Sequence, residues 1–130
     1  MQPVIRHMLL CDVVRKRKDP SLKFDLLGYF NNVRAVGAFP WSLSFSVFVT
    51  MTGGRGTAKC RVQVTEADTD EVIHDGDEHR FQFDVDPTSV HVATIRVGSC
   101  TFHRPGLYYV EFMYNGRQLT REALIVRESL

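Results

Sequence analysis

The sequence predicts an all-β fold: a single antiparallel β-sandwich of about seven to nine strands, with immunoglobulin-like or related Greek-key connections. Three observations carry this. Apolar residues recur with a period of two, the pleat of a half-buried strand. Turn chemistry interrupts these runs at short intervals. No window of a dozen residues carries a capped helical stripe. No linker, internal repeat or low-complexity stretch divides residues 1–130, so the expectation is one domain.

The first two strands, over 4–14 and 24–30, are apolar on both faces, as in Met8-Leu9-Leu10-Cys11 and Leu26-Leu27. Strands of that kind sit inside a sheet, or turn one face to an interface. In the next strand Leu43, Phe45, Val47, Val49 and Met51 alternate with Ser44, Ser46, Phe48 and Thr50. Gly53-Gly54-Arg55-Gly56 is expected to turn the chain as a hairpin loop into a strand whose core face is Cys60, Val62 and Val64. Asp75-Gly76-Asp77 marks a further turn, and Phe81, Phe83 and Val85 share a face beyond it. If Asp86-Pro87-Thr88-Ser89 closes a hairpin, Val85 lies opposite Val90, Phe83 opposite Val92 and Asp84 opposite His91.

Tyr108, Val110 and Phe112 share one face of the last run but one, and Asn115-Gly116 follows. Both central positions of a type I′ turn need positive φ, which makes this dipeptide the strongest hairpin signal in the chain. A two-residue loop sets Tyr114 against Arg117 and Phe112 against Leu119, and the same register brings Arg121 opposite Val110. That mismatch predicts a β-bulge near Thr120 to Glu122.

Leu9-Leu10-Cys11-Asp12, Lys23, Leu27-Gly28-Tyr29-Phe30 and Phe39-Pro40 together resemble a widespread bacterial family of small single-domain proteins without an assigned function. The resemblance lies mainly in the first 50 residues. It implies a β-sandwich and no catalytic residues.

Composition excludes more than it selects. Hydrophobic residues make up 44% and charged residues 24%, with a formal net charge of +1, which excludes a disordered polyelectrolyte and a broadly basic nucleic-acid coat. The longest apolar runs are far short of the roughly 20 residues of a membrane-spanning helix. Cys11, Cys60 and Cys100 have no framework spacing, so reduced thiols are expected. The first dozen residues lack the apolar length and cleavage site of a signal peptide, and a cytoplasmic protein is expected.

The +1 hides a division. Residues 1–65 hold ten Lys and Arg against three Asp and Glu, a net +7; residues 66–130 hold six against twelve, a net −6. The basic part gathers in Arg15-Lys16-Arg17-Lys18 and Lys23, and the acidic part runs from Glu66 to Asp86. A basic run can dock an acidic partner or a phosphate, but charge runs in turns are usually just solvated, and no aromatic is interleaved here for stacking bases. The acids lack the glycine and terminal glutamate of a calcium loop, and edge protection is their simpler role. If the two charge groups lie apart, copies could join head to tail; if they meet, they neutralise each other.

Catalytic patterns are missing. His74 and His79 do not have a zinc spacing, and His91 would have to converge on them. His7 and Cys11 share a strand face but are roughly 13 Å apart, beyond proton-transfer reach. The expectation is therefore a non-enzymatic protein-interaction or assembly module, with no cofactor or metal. Its partner would be another protein or a second copy, with nucleic acid disfavoured and no membrane or small molecule identified. Candidate contact residues are Arg15, Lys16, Arg17, Lys18, Lys23, Tyr29 and Trp41, and Tyr109 and Tyr114 are expected to expose contact rings, as Tyr29 is. The alternative is a sandwich that binds a sugar, lipid or anionic metabolite in a concave pocket.

Overall fold

A computed structural model describes residues 2–84, 86 and 88–130. The expected all-β sandwich is found, with eleven strands among these residues. One layer is a three-stranded antiparallel sheet in which β5 (Trp41–Thr52) lies between β1 (Val4–Cys11) and β9 (Val90–Phe102). The second layer runs in the order β4 (Asn32–Arg34), β11 (Arg117–Arg127), β10 (Gly106–Tyr114), β6 (Thr57–Glu66). Along the far side of β6 lie β7 (Val72–Asp75) and β8 (His79–Gln82). A separate two-stranded hairpin joins β2 (Val13–Lys16) to β3 (Phe24–Leu27). The pairing is antiparallel except where the short β4 runs parallel to β11.

Alternation builds the core. Phe45, Val47, Val49 and Met51 of β5 and Ala93, Ile95 and Val97 of β9 face inward from one sheet; Cys60, Val62, Val64, Tyr108, Val110, Phe112, Leu124 and Val126 meet them from the other. Each fully buried aliphatic or aromatic side chain contributes about 1.5–3 kcal/mol of transfer free energy, and this layer contact is the main source of stability. Tyr108 keeps its ring in the core and donates its hydroxyl to the Arg104 carbonyl at 2.6 Å. Buried Glu66 is held by the Arg104 guanidinium, whose Nε donates at 2.9 Å.

Three connections differ from the expected hairpins. Gly53 to Gly56 carries the chain from β5 in one sheet to β6 in the other, an arch between layers. The Asp75-Gly76-Asp77 segment does not reverse direction: β7 and β8 both run antiparallel to β6, and this segment interrupts one discontinuous edge. Gly76 is required there because its N–H donates to the Val62 carbonyl at 3.0 Å, and a Cβ would stand 2.7 Å from that oxygen. The segment after β8 also changes sheets, and Val90 pairs with Thr52. The expected pairing of Val85 with Val90 involves a position outside the described residues.

The last hairpin follows the turn rule. Asn115 and Gly116 have φ of 48° and 80°, and Tyr114 faces Arg117. The bulge falls at Leu119, one residue before the expected stretch, so Phe112 faces Thr120 rather than Leu119. Arg121 thereby moves opposite Glu111, and Glu122 takes its place opposite Val110.

The doubly apolar first strands are not interior. β1 is the margin of the three-stranded sheet, and the continuation beyond Asp12 leaves the sheet as the β2–β3 hairpin. Their second apolar face is explained by the hairpin folding over the outer side of that sheet. Phe24 meets Phe48 edge-on at 5.5 Å, so β5 is buried on both faces from Phe45 to Val49. No helix among the described residues is long and apolar enough to cross a membrane.

Candidate interaction surface

The β2–β3 hairpin brings five of the seven candidate residues together. Arg15 and Lys16 lie on β2, Arg17 and Lys18 follow it, and Lys23 precedes β3; all five are exposed. The tip is shaped by local hydrogen bonds. The Asp19 carboxylate accepts from the Ser21 N–H at 2.9 Å and from its hydroxyl, which holds that carboxyl below its ordinary range. The Arg17 N–H donates to the Lys23 carbonyl at 2.9 Å and closes the loop. Leu22 adopts a φ of 63° and is 74% exposed, an uncommon state for a bulky apolar residue.

One of the five cations is neutralised. Arg17 binds the Asp25 carboxylate at 3.0 Å, and its hydrogen bond, more than the charges of Arg17 and Arg15, pulls the Asp25 carboxyl below its ordinary range. Arg15, Lys16, Lys18 and Lys23 make no ion pair among the described residues. Lys16 stands 6.0 Å from the centroid of the Phe24 ring, at the long end of a cation–π contact. Between this hairpin and β9 runs an open groove of about 700 Å³, floored by Phe24, Phe48, Val90 and Val92 with Lys16 and Leu22 on one wall.

The other two candidates are placed differently. Tyr29 follows Gly28 at the base of the hairpin and is 57% exposed. Trp41 begins β5, packs against the core and stacks with Phe102 at 6.0 Å. It is nine residues from the groove residue Thr50 along β5, roughly 30 Å in an extended strand, so the hairpin and Trp41 do not form one patch. Tyr114 is a core residue rather than an exposed ring, and the Arg121 guanidinium lies 3.8 Å from the Tyr109 ring centroid and covers it.

Most of the exposed acids lie apart from the hairpin; Asp84, whose N–H donates to the ring of His91 in the Lys16 groove, is nearer. Asp68, Asp70, Glu71, Asp75, Asp77 and Glu78 are exposed along β7, β8 and the loops beside them. Asp75 and Asp77 share a groove with Arg96 and Gly98 at one end of the regular part of β9, whereas Lys16 meets Val90 and Val92 at the other. Eight residues of extended strand separate these ends by roughly 26 Å, more than two screening lengths in physiological salt. The two charge groups therefore do not cancel.

The cysteines and histidines are occupied structurally. Burial pushes the Cys60 thiol up to about 11 and the Cys100 thiol up to about 12. Cys11 is raised as well, by burial first and then by Asp12, and its Sγ donates to the Val13 carbonyl. Thiols held in the neutral form are poor nucleophiles. His91 lies among the rings of Phe81 and Phe83, and its Nε2 accepts from the Asp84 backbone N–H at 2.8 Å, so the Asp84 contact is made by the main chain rather than the expected carboxylate. His74 and His79 line one groove without His91, and no trio of His, Cys, Asp or Glu among the described residues is arranged to hold a metal.

Residues 6–127 match the model of a family described as a family of unknown function, DUF6941. The chain belongs to this family. The family match extends well past the first 50 residues and takes in the hairpin, the groove and both charge groups. No curated protein matches the chain. Among solved structures it is similar to the Pseudomonas fluorescens alkylpurine DNA glycosylase AlkC bound to DNA containing an abasic site analog, at 12% identity and a TM-score of 0.49, over 96% of this chain and 30% of that one. It is similar also to a β-glucosidase from Listeria innocua in complex with isofagomine, at 10% identity and a TM-score of 0.39, over 98% of this chain and 16% of the enzyme. The chain thus spans less than a third of either protein.

The groove escaped the sequence reading, although one signal pointed to it. Phe48 is the single aromatic among the Ser and Thr positions on the outward side of β5. An aromatic there needs a cover, and Phe24 provides it.

Proposed function

We propose that this member of the family is a non-enzymatic, cytoplasmic bacterial interaction module that docks an acidic protein surface on the β2–β3 hairpin. The observation that supports this most is the charge arrangement of the hairpin. Arg17 is neutralised by Asp25, while Arg15, Lys16, Lys18 and Lys23 remain without ion pairs among the described residues, and Lys16 lines an apolar groove. Solvated lysines cost little to leave alone. Cations clustered on a hairpin, one of them at the lip of an exposed apolar surface, are suited to recruiting a partner by long-range attraction and then burying its side chains.

Size-exclusion chromatography with light scattering, at low and high salt, tests this. The wild-type chain should travel in an assembly that high salt dissolves, and the combined substitutions R15E, K16E, K18E and K23E should abolish that assembly without unfolding the exposed hairpin. A strictly monomeric protein that captures no partner, unchanged by the four substitutions, overturns the reading.

The groove of about 700 Å³ favours one second reading, an amphiphilic anion with an apolar body over Phe24 and Phe48 and its charge near Lys16. A thermal-shift titration with a fatty-acid anion separates the two: stabilisation lost in K16E supports the ligand, and no shift supports the protein partner.

A further inference from the structure

We propose that the partner is a second copy of this chain, joined along the free side of β9 in an antiparallel pair around a two-fold axis at Thr94. This rests on the reading of the protein as an interaction module and names what it binds.

The free margins of the two layers are unequal. A sheet margin presents unpaired N–H and C=O groups, and proteins blunt it with bulges, short strands, charges or covers. β1 has a bulge between Ile5 and His7, with Arg6 between them. β4 is three residues long. β7 and β8 are four residues each and are interrupted at Gly76 between two aspartates. β9 is blunted only towards its far end, where Gly98 and Ser99 form a bulge with Ser99 at a φ of 48°. It is thirteen residues long and pairs without a register shift from Val90 to Val97. Its one charged residue, Arg96, is turned back across its own sheet to the Ser46 hydroxyl at 3.1 Å and to the Asp12 carbonyl. Among the described residues β9 is hydrogen-bonded as a strand to β5 alone, and a cleft of about 180 Å³ lies between Val92–Ile95 and β8. A long, regular, β-branched margin of this kind is where another strand adds.

Charge identifies that strand. Lys16 and the hairpin sit at the Val90 end of β9, and Asp77 sits at the Gly98 end beside Asp75, which Arg61 already holds in an ion pair. An antiparallel two-fold pair centred on Thr94 sets Val92 of each copy against Arg96 of the other and Val90 against Gly98, with matched residues on the same face of the pleat. Each basic hairpin then approaches the acidic end of the other copy. The two three-stranded sheets become one continuous six-stranded sheet. The opposed charges of the two halves of the sequence are thus used between copies, where within one chain they stay apart.

Thr94 is exposed and stands at the axis, so a charge placed there meets its own copy. Sedimentation equilibrium on the full chain should give twice the 14.9 kDa chain mass for the wild type and for T94S, and the chain mass for T94K. Hydrogen exchange should show amides of residues 90–97 losing protection on dilution of the wild type. A wild type that remains at the chain mass at every loading overturns the proposal, as does a T94K protein that remains dimeric. If reversing the hairpin charges dissociates an assembly that T94K leaves intact, the β9 pairing falls and the interaction-module reading stands.

Discussion

Replacing Phe45 with alanine should destabilise the fold by about 3–5 kcal/mol, the usual cost of truncating a fully buried phenylalanine. That is a large share of the roughly 5–15 kcal/mol by which a domain of this kind is stable. Phe45 is fully buried in the middle layer, and Phe30 meets its ring edge-on at 5.6 Å. Phe30 in turn is held to β1 by a backbone hydrogen bond to the Leu10 carbonyl at 3.0 Å. The cavity left by F45A would open between the two sheets and also loosen the segment that follows the basic hairpin. F45L, which keeps most of the volume, should cost markedly less. Urea unfolding followed by far-ultraviolet circular dichroism checks both. A shift for F45A below about 1 kcal/mol would mean that Phe45 is not a central packing residue.

Stability should also fall in alkali, and the buried thiols set the direction. In the unfolded chain the thiols ionise near 9.0, whereas in the fold Cys60 keeps its proton to about 11 and Cys100 to about 12. Below pH 9 both states hold these protons, and the thiols contribute no pH dependence. Above it the unfolded chain loses them and the folded chain does not, so unfolding releases protons and is favoured as pH rises. The loss approaches about 1.4 kcal/mol per pH unit for each thiol until the pH reaches the folded values. Cys11, raised more moderately, and the Tyr108 hydroxyl, raised by burial first and Glu66 second, act in the same sense. Urea midpoints measured from pH 8 to pH 11 should decline for the wild type and flatten in the C60A, C100A double variant, whatever the lower starting stability of that variant. Equal slopes for the two proteins would contradict the assignment.

What was legible in the sequence follows the physics of single strands. Alternation identified the core faces of β5, β6 and β10, because burial on one face leaves a period of two that needs no knowledge of the neighbours. Asn115-Gly116 identified its turn because positive φ is a local requirement. The connections were less legible. Gly53 to Gly56 and the segment after β8 have the composition of hairpin loops, yet both cross between layers, and whether two strands share a sheet depends on pairings distant in the sequence. The doubly apolar start had an ambiguous meaning for the same reason: two-sided burial can come from a central position or, as here, from a hairpin laid over an outer face.

The candidate surface divided along similar lines. Arg15 to Lys18 and Lys23 are close in sequence, and a tight hairpin keeps them close in space. Trp41 is distant in sequence, and the layer order places it at the far end of β5 against Phe102. Whether the acids meet the basic loop depended on which end of β9 each group reaches, a property of the assembled sandwich.

Unpaired charge on the β2–β3 hairpin is proposed to drive association. The most direct test is the salt dependence of the association constant, measured by light scattering across a series of ionic strengths for the wild type and for R15Q, K16Q, K18Q and K23Q combined. The constant for the wild type should fall steadily with salt, and that for the neutralised hairpin should be weaker and nearly independent of it. Equal constants with the same slope in both proteins would contradict it.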